Sequence, residues 1–140
     1  MREIEFRGKT ITGIWVYGGI SIQSHGTFIN DENLPYDDYL VIPETIGQFT
    51  GLRDSKRTEE YPEGQRIYEG DALKVTNPMG DEDSMCIVIY DEKAGGYPYE
   101  PEGGYGDYDV STIGWAMDVG YKFEVISDVY DNPALLETVE

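Results

Sequence analysis

The chain has 140 residues, of which 28 are acidic and 10 basic, giving a formal net charge of −18. Its 39% apolar and 13% aromatic content excludes wholesale disorder and is enough to bury a core without disulfides. So large a negative charge repels phosphate backbones, which argues against direct nucleic-acid binding; a solvated acidic surface is the simplest reading.

In chain order the sequence reads as β almost throughout. Met1-Arg2-Glu3-Ile4-Glu5-Phe6-Arg7 has no apolar h-region, so it is not expected to be a signal peptide. Ile14–Tyr17 and Ile20–Gln23 flank Gly18-Gly19, a pair that suits a two-residue hairpin turn. Gly26–Asn30 and Tyr39–Ile42 are further strands, separated by the polar loop Asn30–Pro35, and Pro43 ends the second of them.

Gln48–Asp54 and Ile67–Val75 are apolar strands facing each other across a charged insertion, each with a glycine where the backbone must turn. Arg53, Lys56, Arg57 and Arg66 gather around that insertion, whereas beyond Glu100 the only basic residue is Lys122. Asn77-Pro78-Met79-Gly80-Asp81 turns the chain, and Met85–Tyr90, apolar on both faces, reads as a central strand. Tyr121–Tyr130 alternates, with Tyr121, Phe123, Val125 and Val129 on one face. Only the tail reads as helical, with Asn132 as cap, Pro133 at the first helical position, and Leu135 and Leu136 as its apolar side.

These elements predict one domain over residues 1–140, an all-β fold with an antiparallel barrel or sandwich and a short C-terminal helix. Glu-Gly-Asp leading into Ala-Leu-Lys-Val is similar to the turn that feeds a bent strand in SH3-like barrels. No apolar run reaches membrane-spanning length, so no membrane partner is expected. Cys86 is the only cysteine; it lies in Met85–Tyr90, where a buried inert thiol is expected, and it fits a cytoplasmic protein.

Three constellations carry candidate chemistry. Glu69 and Asp71 flank Gly70, and carboxylates beside a turn can bind a cation or act as acid and base; the simpler role is bonding to local backbone N–H groups. Thr50 and Asp54, across the insertion, have the same two readings. Asp107, Asp109 and Ser111 alternate like calcium ligands, with Asp118 at the closing position, but Thr112 stands where the sharp turn needs glycine.

The third constellation is Gly95–Tyr108, where Tyr97, Tyr99, Tyr105 and Tyr108 sit among glycines and prolines. That mixture supplies large contact groups on an adaptable backbone, so the four tyrosines are candidate partner-binding residues; the other reading is a mobile surface loop whose tyrosines fold back on the barrel. Catalytic equipment is sparse. His25 is the only histidine and reads as a loop residue, and there is no nucleophile elbow, phosphate-binding loop, dinucleotide fingerprint or Cys/His zinc spacing. No metal and no cofactor is expected.

Thr50-Gly51-Leu52-Arg53-Asp54 followed by Ile67-Tyr68-Glu69-Gly70-Asp71 resembles the core signature of the YopX family of phage and prophage proteins. The opening Met1–Lys9, the stretches Trp15–Gly18 and Ile42–Phe49, and the closing Phe123–Leu136 resemble that family as well, so the likeness touches most of the chain. Two departures stand out: Arg53–Gln65 is longer than the family's tight turn, and Ser127-Asp128 replaces a closing Gly-Asn.

The resemblance marks Thr50, Gly51, Asp54, Tyr68, Glu69, Gly70 and Asp71 as motif residues with structural or binding roles. It implies a phage or prophage protein working in the cytoplasm of a bacterial host cell, and it implies no activity, because the family is uncharacterised. Together the readings favour a non-enzymatic accessory protein that forms homo-oligomers and takes a host protein partner. One alternative is an acidic mimic of nucleic acid that binds a host DNA-binding protein. Another is a metal-dependent enzyme using Glu69, Asp71 or Asp54.

Overall fold

The computed structural model describes residues 4–36, 38–80, 83–90, 97 and 112–134. The chain divides into two compact units, Met1–Gly51 and Leu52–Glu140. Both are built of antiparallel sheet, and the described sheets are open rather than closed into a barrel. The fold is therefore all-β with a short helix.

The first unit holds β1 (Phe6–Lys9), β2 (Trp15–Gln23), β3 (Gly26–Asn30), β4 (Tyr39–Val41) and most of β5 (Gly47–Arg53), in the order β4-β3-β2-β1-β5. Alternation places Val16, Ile29 and Val41 in a small core, with Phe6, Leu34, Tyr39 and Ile46 packed on it. A short 3-10 turn, Pro43–Thr45, follows β4, and the chain there returns to the end of β1. Ile42 N–H donates to the Lys9 carbonyl at 2.8 Å, and Lys9 N–H donates to Thr45 Oγ1 at 2.8 Å.

The expected hairpin at Gly18-Gly19 is corrected here. β2 runs unbroken through both glycines, and the reversal into β3 falls at Ser24-His25. Gly18 is needed for a different reason: a Cβ there would lie 1.8 Å from the Asn30 carbonyl oxygen, so the two backbones approach too closely for any side chain.

The second unit adds β6 (Arg66–Tyr68), β7 (Asp71–Thr76), β8 (Asp83–Ile87), α1 (Ile113–Asp118) and β9 (Lys122–Asp128). β7 is central in the order β8-β7-β9, and a register shift interrupts its pairing with β9 between Ala72 and Leu73. The stretch expected as a central strand, Met85–Tyr90, thus supplies the outer strand of that described sheet. Its two apolar faces have separate causes: Cys86 and Val88 enter the core, whereas Ile89 and Tyr90 are exposed.

The core of this unit gathers Ile67, Leu73, Val75, Cys86, Val88 and Phe123, with Ile113 and Ala116 of α1. Burying these side chains contributes on the order of 1.5–3 kcal/mol for each large one, which makes this cluster the main source of the unit's stability. α1 starts at Thr112, whose hydroxyl accepts the Trp115 N–H at 3.1 Å. The tail expected to be helical is described only as far as residue 134, where Pro133 and Ala134 lie in a turn; Leu135 and Leu136 fall outside the described residues.

Candidate functional site

The motif residues of the second unit meet where β6 turns into β7. Tyr68 N–H donates to Asp71 Oδ2 at 2.8 Å, so the aspartate closes a turn over Glu69-Gly70. Gly70, at φ 91°, gives its N–H to the Val88 carbonyl at 2.8 Å and accepts from Val129 N–H at 2.9 Å. The turn thereby ties the chain beyond β8 to the chain beyond β9. Asp71 is 1% exposed and points inward. Glu69 is half-buried and accepts from the Tyr97 hydroxyl at 3.3 Å.

Asp54 lies just past β5 and is 2% exposed. Its Oδ1 accepts Gln65 N–H at 2.8 Å and its Oδ2 accepts Val125 N–H at 3.1 Å. Ser55 continues along β9: its N–H donates to the Phe123 carbonyl at 2.7 Å, and its Oγ accepts Phe123 N–H at 3.1 Å. Asp54-Ser55 therefore covers the outer edge of β9, where a bare row of backbone groups would otherwise face another chain. Arg57 donates to the Asp54 carbonyl at 2.6 Å and Arg53 to the Gly64 carbonyl at 3.2 Å. Two of the basic residues gathered around the insertion thus hold that insertion in place.

Two further buried aspartates repeat this chemistry and escaped the sequence reading. Asp128, at the end of β9, accepts Tyr130 N–H at 2.9 Å and Asp131 N–H at 2.8 Å. It occupies one of the two positions where the chain departs from the family's Gly-Asn, and an aspartate oxygen makes the same kind of turn an asparagine oxygen would. Asp31, in the first unit, accepts Tyr17 N–H and Asn33 N–H at 2.9 Å each. An aspartate within a loop of turn formers was the available signal in both cases.

In the first unit Thr50 is buried and Gly51 has φ 88°. Tyr97 is 7% exposed and belongs to the core of the second unit, with its ring 5.6 Å from that of Tyr90. Tyr99, Tyr105 and Tyr108 fall outside the described residues, as do Asp107, Asp109 and Ser111 of the calcium-like stretch. Asp118 is exposed at the end of α1. Among the described residues, no three His, Cys, Asp or Glu side chains come together as a metal-holding group. His25 is exposed in the β2–β3 turn, 5.3 Å from the Phe28 ring. No helix among the described residues is long and apolar enough to cross a membrane.

Burial pushes the Cys86 thiol up to about 11. The thiolate is the reactive form, so Cys86 should resist alkylation in the native protein at pH 8 and react fully in denaturant. Between 9.0, the thiol's ordinary value, and about 11, the unfolded chain ionises at Cys86 while the folded chain stays protonated. Stability should therefore fall as pH rises through that window. A Cys86→Ala variant, followed by denaturant melts across the same range, should lose this part of the slope.

Comparison with known proteins places the motif in context. The model of a family described as "YopX protein" matches residues 19–137. The chain is also similar to the SPbeta prophage-derived uncharacterized protein YopX of Bacillus subtilis (strain 168), 36% identical over 78 residues. That match covers 55% of this chain and 54% of the relative, so the chain spans about half the length of the curated relative it matches.

Proposed function

The chain belongs to the YopX family, and from that premise we propose that it is a prophage-encoded accessory protein acting as a non-enzymatic interaction module that assembles with copies of itself. The prophage origin rests on the relative's name. The absence of a catalytic role rests on the use of the motif carboxylates: both oxygens of Asp54, and Oδ2 of Asp71, accept backbone N–H groups.

The observation that carries self-association is a mismatch in the first unit between core and surface. Among the described residues it buries four large apolar side chains, Val16, Ile29, Val41 and Phe49. Ile4, Ile11, Ile14, Ile22, Tyr36 and Leu40 are exposed in the same unit. That much apolar surface on so small a core favours covering by another chain.

Charge opposes the meeting of two copies and selects the unit through which they meet. Met1–Gly51 holds seven acidic and three basic residues, whereas Leu52–Glu140 holds twenty-one and seven. Two such chains repel least when the first unit makes the contact. Light scattering coupled to size exclusion across a salt series should give a multimer that persists or strengthens as salt screens the repulsion. Replacing Ile22 and Leu40 by glutamate should shift the protein toward a 15.8 kDa species. A 15.8 kDa monomer at high protein concentration and at every salt would overturn the proposal and move weight to the acidic mimic.

A further inference from the structure

None of the chain's 28 acidic and 10 basic residues falls within residues 10–30, a run of 21 in a chain that is 27% charged. That run holds the whole of β2 and β3, and β4 adds Tyr39, Leu40 and Val41, again without a charge. Charges resume only at Lys9 on β1 and at Asp31 in the connection to β4. Resting on the self-association proposed above, we propose that the outer face of β2, β3 and β4 is the surface through which two copies meet, packed face to face about a two-fold axis.

The register defines that face. Ser21 stands opposite Phe28, and Phe28 opposite Leu40, so the three form one row across the sheet. The neighbouring pair Ile20 and Ile29 points the other way, where Ile29 is fully buried. Ser21 is exposed, Phe28 is half-buried and Leu40 is 54% exposed. Gly19 and Gln23 share the face of Ser21 by alternation and are exposed as well.

The relief of the face is self-complementary. On β3, Gly26 shares the side of Phe28, and a Cβ there would stand 2.6 Å from Leu40 Cδ1, so Leu40 leans across the glycine. Phe28 and Leu40 therefore form a ridge beside the low strip of Gly19 and Ser21 on β2. A two-fold rotation lays the ridge of one copy over the strip of the other, and facing sheets interdigitate in this way about 10 Å apart.

Charge argues for a second copy as the occupant. A basic partner would be drawn to the acidic surface that makes up so much of the molecule. An acidic partner meets least repulsion at a face without carboxylates, and a second copy is such a partner, bringing the same neutral face with it. Pairing edge to edge is the poorer arrangement: β4 is three residues long, Asp38 precedes it and Pro43 follows within two residues, and both charge and proline blunt an edge. Three short strands offer less than the roughly 800 Å² per partner of a standard interface, so the dimer is expected to dissociate on dilution.

The test is sedimentation equilibrium of the full chain over a protein concentration series at fixed salt. The unchanged protein should convert from a 15.8 kDa species to one of twice that mass and no larger, because a two-fold contact closes. Leu40→Glu and Ser21→Glu should each weaken the dimer at least roughly tenfold, since each sets like charges against one another in the contact. Ile22→Glu, exposed on the opposite face, should weaken it less than about twofold. Denaturant melts check the fold of each variant, and Ser21→Glu, at an exposed polar position, gives the reading if Leu40→Glu loses its fold. A multimer that neither Leu40→Glu nor Ser21→Glu weakens would overturn this face while leaving self-association in place. Species that keep growing with concentration would overturn the two-fold contact. A monomer at every concentration would remove self-association and this face as its surface together.

Discussion

Asp54→Ala is expected to destabilise the protein by roughly 3–5 kcal/mol, measured as a shift of the denaturant midpoint at constant slope. The carboxylate is buried and takes two backbone N–H groups from different parts of the second unit, Gln65 before β6 and Val125 in β9. Hydrogen bonds to a charged acceptor contribute about 1.5–3 kcal/mol each, and their loss leaves two buried donors without their acceptor. Asp54→Asn should recover little, because the amide oxygen can serve one donor while the NH2 group faces the other. Ser55→Ala, which removes only the bond to Phe123 N–H, should cost about 1 kcal/mol. A midpoint for Asp54→Asn equal to that of the unchanged protein would show that the carboxylate does not hold this edge.

That prediction follows from a pattern shared by both units. Asp31, Asp54, Asp71 and Asp128 are all buried, and each accepts backbone N–H groups at a strand end or turn. Part of the acidic excess thus serves as fold-specific acceptors. Covering β9 with Asp54-Ser55 also shields an edge of the more charged unit, which leaves the apolar surface of the first unit as the stronger candidate for contact between copies.

Strand positions were legible where alternation and punctuation agreed. Gly26–Asn30 is β3, Pro43 follows β4, and the alternation of Tyr121, Phe123 and Val125 matches their packing against the core of the second unit. Gly18-Gly19 misled because a glycine pair signals equally a turn and a close approach, and only the position of Asn30 decides between them. α1 was missed because it is a six-residue helix with a glycine inside it; Thr112 as cap, with Ile113, Ala116 and Met117 at helical spacing, was the signal present.

The candidate site was less legible than the fold. The motif residues could be named from the sequence, but the partners of Asp54 lie 11 and 71 residues away, beyond the reach of any local pattern.

Gly70→Val is expected to cost roughly 2–6 kcal/mol, through two separable effects. At φ 91° a β-branched residue is strained by about 1–3 kcal/mol. A Cβ would also stand 2.6 Å from Cε2 of Tyr130, so the ring must move or the turn must shift, an overpacking cost of about 1–3 kcal/mol. The position tolerates little movement, because the Gly70 N–H and carbonyl are both committed, to Val88 and Val129. Glu69→Ala, one residue away, removes only a 3.3 Å contact with the Tyr97 hydroxyl and should cost about 0.5–1.5 kcal/mol. Gly70→Ala in a Tyr130→Ala background separates the two effects: truncating the ring relieves the contact and leaves the dihedral strain. Equal denaturant midpoints for Gly70→Val and Glu69→Ala would mean that this turn does not fix the junction between β6 and β7.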